Sequence, residues 1–252
     1  MSRAAAAKPN AMQLGDGTRI PILYEDRSVL AIDKPADWML VPHSWQRTTR
    51  NLQAAIVSSI GAGQFWARCR GLKFLRYVHR LDAETTGVLL FAKSPGALEA
   101  YAALFECRQM EKGYWVVVRG HPRERSWVCR LKLTPDPNQI GRIIIDPKTG
   151  KDAETSFEVL EEGKSTTLLE ARPATGRTHQ IRVHLAAAGY SVVGDPLYSS
   201  EGDPKPSATS RTGLGLRAMR LAYRDPFTKR SVMIQASGDE FLRRFGYAKR
   251  AL

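Results

Sequence analysis

The stretch YVHRLDAETTGVLLFAK, residues 77–93, contains one aspartate, Asp82, between Arg80 and a turn that ends at Gly87. A continuous apolar run follows this turn. An aspartate before Thr-Thr-Gly is ordinarily a turn former or a helix cap. A carboxylate can also act as a nucleophile or base at a glycosidic carbon, and this is the chemistry that the residue type would permit here.

Other reactive side chains do not form familiar metal or cofactor motifs. His179 and His184 lack the HExxH spacing, and Cys69, Cys107 and Cys129 form no CxxC pair. The segment ATGRTHQIRVH precedes a predicted helix but lacks the GxxxxGK[ST] spacing of an ATP-binding loop. We therefore expect no metal, no nucleotide cofactor and no other cofactor.

The chain is strongly basic, with 38 Lys and Arg residues against 25 Asp and Glu residues and a net charge of +13. This balance favours a polyanionic partner, of which nucleic acid is the commonest. Many cations lie on predicted hairpins and loops, where they can reach phosphates. They form two clusters: Arg119, Arg123, Arg125, Arg130, Lys132, Arg142, Lys148 and Lys151, and then Lys205, Arg211, Arg217, Arg220, Arg224, Lys229 and Arg230. Either cluster alone is typical of a solvated face, but the two together favour RNA or DNA contact.

The elements that must position these side chains are short. Helical spacing occurs at 48–60, 97–107, 178–188 and 239–247. Strand patterns occur at 22–25, 28–33, 88–92, 114–120, 214–223 and 232–235, and two hairpins are predicted from 130–133 with 140–145 and from 155–160 with 166–171. Strands and helices interspersed in this way predict an α+β protein with a mixed, mainly antiparallel sheet.

The chain shows no linker that would divide it. We expect a flexible tail at 1–18, a single domain at 19–252, and a mobile loop near 199–215, where Gly, Pro and Ser are frequent. There is no apolar run long enough to cross a bilayer and no signal-peptide core. These features predict a cytoplasmic monomer without membrane contact.

Three motifs, HRLDAETTG, EKGYWVVVRG and ATGRTHQIRVHLAAAGYSVVGDPLY, occur in that order. Together they resemble the RluA-type family of RNA pseudouridine synthases. The likeness begins with VLAIDKP at 29–35 and extends to about Gln235. It implies the family's catalytic fold and the cofactor-free isomerisation of specific uridines in ribosomal RNA, transfer RNA or both. Because few residues precede Ile20, we expect no accessory N-terminal RNA-binding domain.

The resemblance also implies roles for individual residues. Asp82 would be the catalytic aspartate, and Arg80 would help displace the target nucleotide from its stack. Tyr114 would pack on the uracil ring and is suited to removing its C5 proton, and Arg182 would be the basic partner that keeps the aspartate charged. On the substrate side of the site we also place Leu185, as an apolar contact, with Arg177, His179 and Gln180. His179 and Gln180 would brace the site through hydrogen bonds, whereas His79 is interpreted as structural.

The sequence departs from the family pattern near its end, where Arg217 and Asp225 stand at positions that are commonly histidine. Thr86 replaces a frequent serine and retains the hydroxyl. Two other functions remain open at this point. One is a catalytically silent RNA-binding or RNA-folding protein. The other is a glycoside or nucleoside hydrolase that pairs Asp82 with Glu84.

Overall fold

The computed structural model describes residues 7–41, 50–199 and 213–248, and twelve strands within these ranges form one sheet. The strands are β1 (Ala11–Gln13), β2 (Arg19–Glu25), β3 (Val29–Lys34), β4 (Arg76–Tyr77), β5 (Thr86–Ala92), β6 (Glu111–Arg119), β7 (Ser126–Pro135), β8 (Ile143–Ile145), β9 (Lys151–Glu162), β10 (Thr166–Pro173), β11 (Leu216–Arg224) and β12 (Ser231–Gln235). Their spatial order is β1-β2-β3-β5-β11-β6-β10-β9-β7-β8, with β4 beside β5 and β12 beside β11. Only the β5–β11 pair among them is parallel. The predicted α+β class and mainly antiparallel sheet are confirmed.

Helices cover both faces of the sheet. They are α1 (Leu52–Gly61), α2 (Phe65–Arg68), α3 (Pro95–Glu106), α4 (Gln180–Ala187) and α5 (Asp239–Phe245). On β5, Leu89 and Phe91 pack with α1 and α2, whereas the alternate residues Val88 and Leu90 pack with α3. This follows from the two-residue period of a strand, and it explains why β5 is a continuous apolar run.

Strand β6 divides its side chains in the same way. Val116 and Val118 pack against α4, and Trp115 and Val117 face the cluster that includes α5. Tyr114, which shares the α4-side face, packs against both the α1–α2 cluster and the α4 cluster. It therefore lies where the two halves of the sheet meet.

Most of the predicted elements are confirmed with boundaries shifted by a few residues. Strands β7 and β8 form the first predicted hairpin and β9 and β10 the second. Helix α3 begins as its Ser-Pro-Gly sequence indicates, with the Ser94 side chain accepting a hydrogen bond from the amide of Ala97 and Pro95 at the first helical position.

The predicted N-terminal tail at 1–18 is wrong for its described part. Strand β1 pairs with β2, and Met12 and Leu14 are 0% and 2% exposed in the same cluster as α1 and α2. Burial of these two side chains explains the order, because each stabilises the fold by about 1.5–3 kcal/mol. The predicted mobile loop near 199–215 lies, except at its ends, outside the described residues.

Candidate active site

The turn that carries Asp82 connects β4 to β5 and is fixed on both sides. Before it, the Nε2 atom of His79 accepts a hydrogen bond of 3.2 Å from the amide of Leu90, and the ring stacks on Phe105 at 4.7 Å. Burial, helped by the charge of Lys112, lowers the pKa of His79 to about 3, so the ring is neutral. These contacts fit the structural role that we predicted for His79.

After the turn, the chain enters β5 through Gly87. This residue has a φ of +109°, and a Cβ at this position would lie 2.1 Å from the carbonyl oxygen of Ala218 on β11. Only glycine permits both the conformation and the close approach. Gly87 thus sets the distance between the Asp82 turn and β11.

Lys34, at the end of β3, holds the turn in place through hydrogen bonds to backbone carbonyl groups. It is 0% exposed, and its Nζ donates to the carbonyl oxygens of Ala83 at 2.8 Å, Thr85 at 2.9 Å and Pro35 at 3.0 Å. Burial lowers the pKa of Lys34 to about 7, although the charge of Asp82 opposes this. Three acceptors require three protons, so the geometry fits the charged ammonium.

Arg182, on α4, lies between two carboxylates. Its Nε and Nη2 donate to the two oxygens of Asp195 at 2.7 and 2.8 Å, and its Nη1 donates to Asp82 Oδ2 at 3.1 Å. Arg182 and Asp195 are each 1% exposed, whereas the Asp82 side chain is 20% exposed. The bidentate partner of the arginine is therefore Asp195, and Asp82 receives one bond at an edge that solvent can reach. Our expectation that Arg182 partners Asp82 agrees with this contact.

The surroundings favour the ionised form of Asp82. Burial raises the pKa of Asp82, but His179, Arg182 and Lys34 together lower it by more, so the pKa is below that of an ordinary aspartate. Burial also lowers the pKa of His179, although the charge of Asp82 opposes this. Asp82 is thus held in its charged form, as expected when opposite charges lie nearby.

His179 is the residue that precedes α4, and its backbone has a left-handed φ of 52°. Its Nε2 lies 3.8 Å from Asp82 Oδ1, and its Nδ1 is 2.9 Å from the hydroxyl of Tyr198. The same hydroxyl accepts a bond of 2.8 Å from the amide of Ile143 on β8, and the Arg182 guanidinium lies 5.2 Å from the Tyr198 ring centre. Tyr198 therefore links the β7–β8 hairpin to the residues around Asp82.

Tyr114 is half-buried on the face of β6 that packs on α4. Burial, and then the negative charge of Asp82, raise the pKa of Tyr114 well above its usual value. The phenol is thus protonated at neutral pH. It presents an apolar ring in the electrostatic field of the carboxylate.

Three other predicted site residues differ in their exposure: Arg80 and Arg177 are exposed, whereas Gln180 is buried. Arg80 is exposed, and within the described ranges its side chain makes no hydrogen bond or ion pair. Arg177 is exposed and donates to the carbonyl oxygen of Asp152. The amide of Gln180 is saturated by Thr175, Arg177, Glu154 and Thr155, so it braces the loop before α4, as expected, and has no free group for a substrate.

Leu185 contradicts its predicted role as an apolar substrate contact. It is 0% exposed and packs with Ile181, one helical turn earlier, against β6 and β10. Arg182 points away from this face towards Asp82. Leu185 accordingly packs in the core and has no surface to offer a nucleotide.

Three residues of the site were missed by sequence reasoning: Lys34, Asp195 and Tyr198. All three lie within the quoted motifs VLAIDKP and GDPLY, so the motif letters contained the signal. The contacts of these residues could not be predicted from the motifs, because Lys34, for example, bonds to carbonyl groups about fifty residues later in the chain. Within the described residues, no group of three or more His, Cys, Asp and Glu side chains could hold a metal ion.

The two basic clusters are not wholly available to a polyanion. Arg217 is 9% exposed and donates to Asp33 at 2.6 Å, so its assignment to a phosphate-binding surface is wrong. Arg130 pairs with Glu154. Lys205 and Arg211 lie outside the described residues. Asp225, the other departure, is buried and caps the β11–β12 turn through the amides of residues 227 and 228.

Comparisons with known proteins agree with these observations. The family described as RNA pseudouridylate synthase matches residues 28–187. The chain is 34% identical over 227 residues to the ribosomal large subunit pseudouridine synthase C of Escherichia coli K12, covering 88% of this chain and 68% of that protein. It is also 34% identical over 222 residues to an uncharacterized RNA pseudouridine synthase of Zymomonas mobilis, covering 86% of this chain and 95% of that protein.

Two solved human structures share the fold. RNA Pseudouridylate Synthase Domain Containing 4 has a TM-score of 0.69 and 23% identity, covering 89% of this chain and 92% of that chain. RNA Pseudouridylate Synthase Domain Containing 1 has a TM-score of 0.67 and 24% identity, covering 86% of this chain and 83% of that chain. No helix in the described part of the chain is long and apolar enough to span a membrane.

Proposed function

The chain belongs to the RluA-type family of RNA pseudouridine synthases, and from this premise we propose that it converts specific uridines of ribosomal RNA to pseudouridine with Asp82 as the catalytic carboxylate. Transfer RNA is a second substrate class for the same site. The observation that carries the proposal is the pair of carboxylates on Arg182. One is buried and bidentate, and the other is singly bonded and open to solvent.

The reaction explains why one charged, accessible carboxylate is enough. The bond between N1 of uracil and C1′ of ribose breaks, the detached base turns, and C5 bonds to the same C1′. The proton on C5 then leaves and N1 takes up a proton from water, so no atom is gained or lost overall. A carboxylate can act as a nucleophile at C1′ or as a base at the ribose, in the way that carboxylates act in glycoside hydrolysis. Its lowered pKa keeps Asp82 in the form that either role needs.

Tyr114 and Arg80 have roles that follow from their exposure. The half-buried, neutral ring of Tyr114 suits stacking on a uracil, and it can take the C5 proton only after it has given up its own. The exposed guanidinium of Arg80 can enter the gap that a displaced nucleotide leaves in a helix. Taking a base out of its stack costs a few kcal/mol, and contacts of this kind offset that cost.

The experiment uses RNA labelled with tritium at C5 of uridine, because the isomerisation releases this hydrogen to water. Unmodified large-subunit ribosomal RNA and a transfer RNA pool, both transcribed in vitro, are incubated with the wild-type protein and with Asp82→Asn. We expect tritium release with the wild type and its loss with Asp82→Asn. The modified positions are then mapped in the RNA.

Three results would contradict the proposal. Release of tritium by Asp82→Asn at the wild-type rate would remove the assigned role of Asp82. Absence of release by the wild type on both RNA classes, together with intact RNA binding, would favour the catalytically silent RNA-binding protein. Free uracil in the reaction would instead indicate a hydrolase.

A further inference from the structure

Lys112 is a cation near Tyr114, and it has no role in the reaction described above. It lies on β6 two residues before Tyr114, so the two side chains emerge on the same face of the sheet. Its Nζ donates to the carbonyl oxygen of Thr175 at 2.7 Å, and it lies 3.9 Å from the position of a Cβ on Gly176. Its charge also lowers the pKa of His79, in the turn of Asp82. The ammonium group therefore lies against the loop that leads into α4, on the face of β6 that carries Tyr114.

The ammonium of Lys112 lacks an anionic partner within the described part of the chain. A lysine ammonium has three donors, and one protein acceptor, Thr175, is present. Burial alone lowers the pKa of Lys112 to about 8, with no carboxylate to oppose it. By contrast, Arg182 and Arg217 each pair with a carboxylate. A half-buried charge without a counter-ion is costly, and an anion that arrives from outside would relieve the cost.

From this geometry we infer that Lys112 binds a phosphate of the RNA backbone at the target nucleotide. The inference rests on the proposed function for the identity of the ligand, because RNA is the polyanion that must approach Tyr114 and Asp82. The two free donors of the ammonium suit the oxygens of one phosphodiester, and a charge-assisted bond of this kind is among the strong hydrogen bonds. The site positions the nucleotide and takes no part in bond breaking.

The test compares Lys112→Gln with Lys164→Gln. Glutamine at 112 retains a donor for the Thr175 carbonyl and removes the charge. Lys164 is exposed in the turn between β9 and β10, at the opposite end of β10 from Thr175, and its substitution controls for the loss of one charge. Binding is measured by fluorescence anisotropy of a labelled RNA hairpin that contains the mapped uridine, at several salt concentrations.

We expect Lys112→Gln to weaken RNA binding about tenfold and to reduce the slope of log K against log salt by about 0.7–0.9, the value of one phosphate contact. Lys164→Gln should change both quantities much less. A hairpin with an uncharged methylphosphonate at the contacted phosphate should bind wild type and Lys112→Gln equally. Wild-type affinity should also fall as the pH rises through about 8, because the free ammonium loses its proton there, and Lys112→Gln should lack this fall.

Equal affinity and salt slope for wild type and Lys112→Gln would overturn the inference. So would a loss of the single-turnover rate at saturating RNA without a change in affinity, because that result would make Lys112 an acid or base. If the wild type modifies no RNA, the proposed function fails. The binding comparison is then made on the large-subunit RNA transcript and decides the phosphate contact independently.

Discussion

Substitution by asparagine should affect protein stability differently at the two carboxylates that bind Arg182. Asp195→Asn removes the charge that pairs with a fully buried guanidinium, and the new amide group can turn only one acceptor towards the two Arg182 donors that Asp195 now satisfies. Removing one partner of a buried ion pair costs about 3–5 kcal/mol, and the remaining bond from Arg182 to Asp82 puts the expected loss near 3 kcal/mol. Asp82→Asn removes one bond of 3.1 Å at a 20% exposed side chain and leaves Arg182 paired, so its expected effect is within about 1 kcal/mol.

The assay is urea unfolding followed by circular dichroism, together with single-turnover tritium release. With a slope of about 2–3 kcal/mol per molar urea, Asp195→Asn should lower the midpoint by about 1 M. It should also slow the reaction, because a catalytic carboxylate displaced by about 1 Å can lose about a hundredfold in rate. Asp82→Asn should keep its midpoint and lose the reaction. Asp225→Asn is the control, since this buried carboxylate is held by hydroxyl and backbone donors and should leave the rate unchanged.

The reasoning is refuted if Asp82→Asn shifts the urea midpoint as far as Asp195→Asn does. That result would mean that Arg182 depends equally on both carboxylates for its burial. An unchanged midpoint for Asp195→Asn would contradict the argument as directly, because it would show that the bidentate pair contributes nothing.

Three further predictions concern the elements around Asp82. Gly87→Ala should destabilise the protein by about 3 kcal/mol in urea unfolding because of its positive φ and the nearby β11 carbonyl, whereas Gly96→Ala, which meets open space in α3, should have little effect. Tyr198→Phe leaves a buried β8 amide and a nitrogen of His179 unpaired, so it should cost about 1–3 kcal/mol in the same measurement, and unchanged stability would contradict the link. Because the folded-state pKa of Asp82 is lowered, its ion pair stabilises the protein above the unfolded pKa of about 3.9 and is lost as the pH falls through the folded value. The stability difference between wild type and Asp82→Asn should therefore shrink as the pH falls below about 4, and a difference that stayed unchanged in acid would refute this assignment.

The sequence predicted those elements whose formation depends on neighbouring residues in the chain. The apolar run that became β5 and the helical spacing that became α3 were predicted because burial on two faces and helical periodicity are local properties. Strand β1 was missed because three residues are too few for a period, and its order comes from pairing with β2. Leu185 was misplaced because helix direction decides which side chain faces the sheet, and the motif letters do not contain that direction.

The burial of Asp195, the bidentate partner of Arg182, could likewise not be predicted from the sequence around it. GDPLY has the composition of a surface turn, and nothing in it indicates that Asp195 is 1% exposed beneath a helix. Gly194 permits this burial in two ways. Its φ of +76° is accessible to glycine, and the chain there passes so close to Gly213 that a Cβ on residue 194 would lie 2.0 Å from the carbonyl oxygen of Gly213. Long-range approach of this kind is fixed by the assembled fold and has no local signature.

Some of the cations of this basic chain form ion pairs inside the protein, and only the others are available to bind phosphates. Strands β5 and β11 are paired through only two residue pairs, yet this seam joins the half that carries Asp82 to the half that carries Tyr114 and Arg182. Buried arginines cross it: Arg217 on β11 pairs with Asp33 on β3, and Arg182 bonds to Asp82 one hundred residues away. Both arginines are thus paired with carboxylates inside the protein and are unavailable to RNA. Phosphate recognition must therefore come from cations without an internal carboxylate, and among the described residues Lys112 on β6, two residues before Tyr114, is one such cation.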